Sequence, residues 1–415
     1  MFTLKVTAVH REVGGSFSFL HRFALQRPPL ERESMKASRT VKIVLTAFAA
    51  ALFATSSASA ASVTISGDGS SFAMPLLNAC KVAWQDANKD YTFGSYPGNG
   101  SGTGRGNSDK GIGDFNFTDA IHTTAKSTVL HIPVVAAPIA ITYNLPGNKQ
   151  LYLSQKTLSD IFAGNITKWN DPAITADNNG AATKVLYKED AAGNPIKGAD
   201  GKPIVLKTIP VKRYYTLPNQ TIKIVVRSDG SGSTQNLVNM FIKQFPTTWT
   251  KPSSSTFSSV FPGSFNAPTN LGRITAVKGS SLLAATVKKT QFSISYVESS
   301  YATGAGLGLA AIQNAAGNFQ SPDAAGTAAF LSSATATADG KLTFDYNTKD
   351  AGAYVLGIVS YALVDTAKTG DAAKATKSFL EYVLNPKCPT TQSALEYTTI
   401  TGNLLKVNQA LLAKL

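Results

Sequence analysis

Apolar positions along this chain follow two periods that alternate. Residues 63–66 alternate as in a short strand, and apolar residues then recur at helical spacing from Phe72 through Leu76 to Trp84. Residues 132–143 are almost continuously apolar and rich in proline and β-branched side chains, which is typical of a strand buried on both faces. Strands that alternate with helices along the whole chain predict an α/β fold. Further strands are predicted at 91–96, 114–118, 222–226, 292–297 and 354–363.

Helix ends are predicted from local residue types. Thr157 to Asp160 has the form of a capping box, and Gly164 supplies a stop seven residues after Thr157. Apolar residues at helical spacing follow residue 232, and a last helical region is predicted to begin within 378–384.

The N-terminus has the features of a secretory signal. Residues 35–42 carry three cations, residues 43–54 are apolar, and Ala58-Ser59-Ala60 matches a signal-peptidase site. We therefore expect residues 1–60 to comprise an upstream extension plus a signal peptide cleaved after Ala60. The apolar run is too short to span a membrane. Residues 1–34 are explained by a start codon assigned too far upstream.

Length and charge narrow the class of protein. Cleavage leaves 355 of the 415 residues and a net charge of +9 out of +14, because the first 60 residues carry eight Lys or Arg and three Asp or Glu. This length suggests two domains. The lysines are scattered, with no basic run interleaved with aromatic residues, so nucleic-acid binding is not expected. The two cysteines, Cys80 and Cys388, lack metal-ligand spacing and are either one disulfide or two separate buried thiols.

Three glycine- and serine-rich turns follow predicted strands, at residues 69–72, 100–102 and 231–233. Such a turn before a helix presents unpaired backbone N–H groups and serine hydroxyls to an anion. A serine in this position can also be a plain N-cap. Arg227 stands next to the third turn and can offer two parallel N–H groups to two oxygens. Together these features predict a cage for a tetrahedral oxyanion.

Two aspartates decide which oxyanion is favoured. Asp229 lies two residues after Arg227 and can hold the guanidinium in place by an ion pair. Asp119 ends a predicted strand, where it either caps a turn or faces the ligand. A carboxylate repels an anion unless the anion donates a proton, so an acceptor here favours phosphate over sulfate.

Six segments resemble the periplasmic phosphate-binding proteins of bacterial ABC phosphate importers. They read GDGSSFAMP, GNGSGTG, DFNFTDA, KTLSDIFAGNITKWNDPAI, VRSDGSGST and ISYVE. The resemblance implies two α/β lobes, each a mixed sheet flanked by helices, joined by a two-strand hinge near 138–143 and 292–297. It places lobe I at 61–140 and 292–415 and lobe II at 141–291, with an insertion at 183–219. It implies phosphate ligands at Ser71, Phe72, Ser101, Asp119, Arg227, Ser231, Gly232 and Ser233, with Asp229 behind the arginine.

The resemblance also implies a role and a location. We expect a periplasmic monomer that binds inorganic phosphate, without a cofactor or metal, and delivers it to an ABC permease of the inner membrane. An extracellular location stays open, as does an adhesion or signalling protein on the same fold. A secreted phosphatase is the enzymatic alternative, but no Gly-x-Ser-x-Gly elbow is present and no catalytic residue is assigned. His122 is either a general base near Asp119 or a surface or loop histidine. Cys80 and Cys388 fall in the same implied lobe.

Overall fold

Strands and helices alternate along the chain, which confirms the predicted α/β class. The computed structural model describes residues 62–147, 149–191, 195–200, 203–385, 388 and 395–415, so the predicted signal peptide lies outside the described residues. The helices are α1 (Met74–Ala87), α2 (Ser101–Lys110), α3 (Gln155–Ala163), α4 (Pro172–Asn178), α5 (Gly232–Gln244), α6 (Phe257–Val260), α7 (Ser280–Lys289), α8 (Ser299–Gly304), α9 (Ala324–Leu331), α10 (Asp371–Val383) and α11 (Gly402–Leu412), with a 3-10 turn at Pro268–Asn270. The strands are β1 (Val63–Ile65), β2 (Gly67–Gly69), β3 (Tyr91–Phe93), β4 (Phe115–Thr118), β5 (Val129–Asn144), β6 (Tyr152–Leu153), β7 (Asn179–Tyr187), β8 (Val205–Tyr214), β9 (Lys223–Arg227), β10 (Ile274–Val277), β11 (Ser293–Glu298), β12 (Gly308–Leu309), β13 (Ala311–Gln313), β14 (Phe319–Gln320), β15 (Thr335–Ala336), β16 (Leu342–Thr343) and β17 (Gly357–Asp365).

One eight-stranded mixed sheet connects the elements that carry the predicted ligands. Its order is β10-β9-β11-β5-β17-β4-β2, with β12 alongside β5. The strands β2, β4, β9 and β11 all end next to residues of the predicted site. The sheet therefore brings together segments that are far apart in sequence.

Strand β5 is the longest strand of this sheet and changes partner along its length. Nine of its first ten residues pair with β17, with Val134 skipped at a register shift, and its last six pair with β11. All but the last of its 16 residues are buried, as its continuous apolar sequence predicts. The β5 and β11 residues that pair are those predicted to cross between lobes. The lobe boundaries themselves stay a prediction.

Two groups of aromatic side chains pack in the core beside the sheet. The first joins Trp84 of α1 and Phe115 of β4 to Phe379 of α10. The second joins Phe162 of α3 and Phe241 of α5, and both groups belong to one continuous hydrophobic core. Burial of these large rings holds α1 and α5, which begin next to the first and third predicted turns, against the sheet, because each ring removes a large apolar area from water.

Two predicted helix ends differ from the structure. The N-cap of α3 is Ser154, whose Oγ accepts a hydrogen bond from the Thr157 N–H at 3.1 Å, so the capping box predicted to begin at Thr157 is wrong. Ser154 meets the capping requirement three residues earlier and leaves Thr157 inside the first turn. The stop at Gly164 is confirmed, since it ends α3 with φ of 84°. The helix predicted to begin within 378–384 instead begins at Asp371, and α11 follows it.

The predicted insertion forms an antiparallel ribbon of β7 and β8. Most residues of β8 are exposed, and Val185 and Tyr187 of β7 pack on Ala325. Residues 190–202, predicted as an exposed hairpin or loop, lie between the two strands, and their described part includes a bridge between Lys197 and Pro203.

A disulfide links Cys80 of α1 to Cys388, with 6.0 Å between their Cα atoms. The sequence alone had left open whether these cysteines are bridged. Among the described residues, none of the helices has the length and apolar character needed to cross a membrane.

Candidate functional site

Four turns, each at the start of a helix or just before one, meet at one edge of the large sheet. Three are the predicted turns at 69–72, 100–102 and 231–233, and the fourth holds Gly279 and Ser280 before α7. The Ser71 and Ser280 Oγ atoms are 3.0 Å apart, although 209 positions separate them in sequence. The Gly102 N–H donates to the Gly230 carbonyl at 2.8 Å. Donor groups from distant parts of the chain therefore surround one small region.

Arg227 ends β9, and its guanidinium lies within this region. Its Nε and Nη2 donate to the two carboxylate oxygens of Asp229 at 2.7 and 2.5 Å, and its Nη1 donates to Ser280 Oγ at 3.1 Å. The side chain is only 4% exposed, so its direction is fixed by these contacts. The Gly279 N–H also donates to Asp229, at 3.0 Å, and anchors that carboxylate from a second side.

Arg227 and Asp229 form an ion pair in which both side chains are charged. Burial acts to raise the pKa of the Asp229 carboxyl, but the hydrogen bonds and charge of Arg227 outweigh it and hold that pKa below its usual value. Burial alone would lower the Arg227 pKa, yet Asp229 raises it above the ordinary value. The positive charge of Arg227 is thus retained although water is excluded.

Asp119 follows β4 and is held by hydroxyl groups. Its Oδ2 accepts from Ser101 Oγ at 3.0 Å, and its Oδ1 accepts from Ser360 Oγ at 2.7 Å. Burial raises the Asp119 pKa, and the hydroxyls of Ser360, Ser70 and Ser101 together with Arg227 offset only part of that effect. Asp119 is therefore a buried carboxyl group with a pKa above its usual value, next to the hydroxyl donors Ser101 and Ser360.

The turn at 231–233 contacts the second turn directly. A Cβ added to Gly232 would lie 2.6 Å from both Asp119 Cβ and Ser101 Oγ. Ser231 Oγ accepts from the Thr234 N–H at 3.2 Å and acts as the N-cap of α5. The capping interpretation therefore describes Ser231 in this structure, whereas the Ser233 hydroxyl points elsewhere and donates to Glu298 Oε1 at 2.8 Å.

The first turn is fixed by tyrosines. The Tyr397 hydroxyl donates to the carbonyl of the buried Phe72 at 2.5 Å, and the Tyr301 hydroxyl donates to the Ser71 carbonyl at 3.1 Å. Because these carbonyls are satisfied on the protein side, the turn is held in place independently of any ligand.

Sequence reasoning missed four polar residues at this site, namely Ser280, Glu298, Ser360 and Asn236. Ser280 had the strongest signal, since Gly279-Ser280 follows a strand and opens a helix like the other turns. Glu298 is the last residue of the ISYVE segment, and that segment does not indicate whether the Glu298 side chain faces the site. Asn236 lies within α5 and donates to the Asp119 and Gly232 carbonyls. Ser360 lies within β17. The sequence around each of these two residues has no pattern that marks a binding site.

His122 lies in the loop between β4 and β5, as the second of its two alternatives has it, but it is not at the surface. The side chain is buried, and its Nε2 lies 2.7 Å from Asp109 Oδ1. Its partner is thus Asp109. Within the described ranges, no group of three or more His, Cys, Asp or Glu residues is arranged to hold a metal ion.

Gly232→Ala is expected to weaken anion binding at this site by about 5- to 150-fold, since placing a methyl group 2.6 Å from Asp119 and Ser101 costs about 1 to 3 kcal/mol. Titration calorimetry with phosphate measures the effect. The matched control is Gly106→Ala in α2, where nothing lies within 4 Å of the added Cβ. Equal affinity in both variants would contradict the close approach of the two turns.

Comparisons with known proteins identify the family of this chain. A family model described as a PBP superfamily domain matches residues 54–387. The phosphate-binding protein PstS of Pasteurella multocida is 32% identical over 66% of this chain and 68% of its own length. The phosphate-binding protein PstS 3 of Mycobacterium leprae is 30% identical over 69% of this chain and 70% of its own length.

Solved structures show the same fold. A phosphate-binding protein from Stenotrophomonas maltophilia superposes with a TM-score of 0.55, at 16% identity, over 84% of this chain and 93% of its own. The sheets and flanking helices described above are therefore arranged in the two-lobed fold of that protein.

Proposed function

Because this chain belongs to the PBP superfamily and, within it, to the PstS phosphate-binding proteins, we propose that it captures inorganic phosphate between its two lobes for an ABC transporter. The observation that carries the proposal is the position of the Arg227 guanidinium, which is paired with Asp229 and lies among hydroxyl groups from distant turns. An ionised, buried guanidinium among serine hydroxyls is suited to a tetrahedral anion, since charge-assisted hydrogen bonds are the strong ones.

The proposed ligands are those that the sequence suggested, with one addition. Ser71 and the Phe72 backbone come from the first turn, Ser101 and Asp119 from the second turn and β4, and Arg227 with 231–233 from β9 and α5. Ser280 is added, because its hydroxyl contacts both Arg227 and Ser71. In this assignment Ser231 contributes its backbone in addition to its capping role.

Asp119 supplies the discrimination in this proposal. Its carboxyl is an acceptor within a set of donors, and it lies 4% exposed beside Ser101 and Ser360. Phosphate carries a proton at neutral pH and can donate it to Asp119, whereas sulfate carries none and would be left repelling the carboxylate. A buried unpaired charge is expensive, so one acceptor suffices to reject sulfate.

The biological role follows from family membership. We propose that the chain acts outside the cytoplasmic membrane, in the periplasm, as a binding protein without catalytic activity. Its partner would be the ABC phosphate permease of the inner membrane, to which the closed, loaded lobes deliver their ion. Closure follows from binding, since only a closed state contacts phosphate from both lobes.

Titration calorimetry with phosphate and with sulfate tests the proposal. About ten charge-assisted hydrogen bonds of about 1.5 to 3 kcal/mol each must offset dehydration and closure. A net of about 8 to 10 kcal/mol is expected, which gives a micromolar or tighter dissociation constant for phosphate. Sulfate is expected to bind at least about 100-fold more weakly, a difference of about 3 kcal/mol. Equal affinities, or no heat with phosphate, would contradict the proposal.

A further inference from the structure

A second buried carboxyl group faces the proposed phosphate site. Glu298 is the last residue of β11 and is only 1% exposed. Its Oε1 accepts the hydrogen bond from Ser233 at 2.8 Å. Its Oε2 is buried and has no hydrogen-bond partner among the residues that the structure describes. A buried acid with one oxygen unsatisfied is costly to keep charged.

The neighbouring groups leave Glu298 without a compensating charge of its own. The Arg227 guanidinium is the nearby cation, but Asp229 already engages two of its nitrogens. Asp119 is a second nearby carboxyl and acts on Glu298 as a like charge. Arg105 lies on the Asp119 side and interacts with that carboxyl group. Glu298 therefore shares the Arg227 guanidinium with Asp229 and Asp119 before any phosphate enters.

The hydroxyl groups around Glu298 have other partners as well. The Tyr301 and Tyr397 hydroxyls donate to the Ser71 and Phe72 carbonyls. The Ser280 hydroxyl contacts Arg227 and Ser71. Burial raises the Glu298 pKa, and the charge of Arg227 and the hydroxyls of Ser280 and Ser233 offset only part of that rise.

The single proton of the Ser233 hydroxyl links Glu298 to the ligand. When Glu298 is ionised, Ser233 donates to it and can only accept from phosphate. When Glu298 is protonated, it donates to Ser233, which is then free to donate to a phosphate oxygen. The protonation of Glu298 therefore decides whether Ser233 is a donor or an acceptor toward the ion.

We propose that Glu298 takes up a proton from solvent when phosphate binds, so that the closed complex holds one proton more than the contact with Asp119 requires. This inference rests on the phosphate site proposed above. We expect Glu298 to be hydrated and ionised while the cleft is open. Closure around an anion removes water from a site that already has excess negative charge, and neutralising Glu298 relieves that charge and turns Ser233 into a donor.

The proton balance makes the inference measurable. Above the second pKa of phosphate the free ion is the dianion, which already carries the one proton that Asp119 accepts. Binding to the wild-type protein then takes up one further proton, which resides on Glu298. By linkage, the affinity should fall about tenfold per pH unit in this range.

Calorimetry between about pH 8 and about pH 9 tests this, in two buffers of different ionisation enthalpy, so that proton uptake is measured directly. The wild type is expected to take up about one proton per phosphate and to bind about tenfold more weakly at the higher pH. Glu298→Gln, whose amide donates permanently to Ser233, is expected to take up none and to keep its affinity within about twofold over the same range. Glu298→Asp keeps a titratable group and should restore the pH dependence.

Glu381→Gln, an exposed change of the same type on α10, is the matched control and should behave as the wild type. The wild-type proton count is decisive even where the Glu298→Gln protein fails to fold. Phosphate binding by the wild type with no proton uptake, or the same pH dependence in folded Glu298→Gln, would overturn the inference and leave the proposed function intact. Absence of phosphate binding by the wild type would contradict both the role of Glu298 and the proposed function.

Discussion

Arg227→Ala is expected to lower phosphate affinity by about a hundredfold to ten-thousandfold, the largest effect of any single change at the site. Two charge-assisted hydrogen bonds from the guanidinium, at about 1.5 to 3 kcal/mol each, are lost. The change also leaves Asp119, Glu298 and Asp229 without their shared cation. Calorimetry with phosphate measures the loss.

The control for this variant is Arg213→Ala on the β7–β8 ribbon. Arg213 donates to the Asp177 and Ala181 carbonyls and has no contact with the proposed ligands in the described structure. Its removal should leave phosphate affinity unchanged. The phosphate affinity of Arg227→Lys should fall between those of Arg227→Ala and Arg213→Ala. A lysine keeps the charge but cannot donate two parallel hydrogen bonds. Near-normal binding by the Arg227→Ala protein would show that the anion lies elsewhere.

Asp119→Asn is expected to change selectivity more than stability. Phosphate should bind about 10- to 100-fold more weakly, because a charged acceptor worth about 1.5 to 3 kcal/mol is replaced by a neutral one. Sulfate should bind more tightly than to the wild type, since the repelling carboxylate is gone and the amide N–H₂ can donate. The ratio of the two affinities, measured by calorimetry, should fall by at least about 100-fold.

The free energy of unfolding of Asp119→Asn should differ little from that of the wild type. Burial of the carboxyl group is unfavourable in the wild type, and the asparagine oxygen can still accept from Ser360. Thermal unfolding without phosphate checks this point. Asp86→Asn on the exposed face of α1 is the matched control and should alter neither affinity nor selectivity. An Asp119→Asn protein that still rejects sulfate as the wild type does would assign the proton-accepting role to another residue, and Glu298 would then be the first to examine.

Several features of the site were accessible from local sequence. The turns at 69–72, 100–102 and 231–233, the Arg227–Asp229 spacing and the buried strand at 132–143 depend on nearby residues, and the structure has each of them. The cap of α3 was misplaced because Ser154 and Thr157 both fit a capping role, and only the helix register distinguishes them. The last helix was misplaced because α10 begins at Asp371, after a glycine and without a side-chain cap.

Ser280, Glu298 and Ser360 could not be assigned in this way. Ser280 meets Ser71 across 209 positions, and Ser360 meets Asp119 across 241. Contacts at such separations depend on the order of strands in the sheet, which local periodicity does not encode. The bridge between Cys80 and Cys388 is of the same kind, because it requires two Cα atoms 308 positions apart to lie within 6.0 Å.

The sequence by itself determined the alternation of strands and helices, the donor-rich turns and the pairing of Arg227 with Asp229. These depend on backbone preferences and side-chain types that act over a few residues. Only the tertiary structure decided which carboxyl groups face one another, which hydroxyls they engage, and how little water reaches them. Proton affinity inside the site is set by burial and by neighbours from distant strands, so it exists only once the chain has folded.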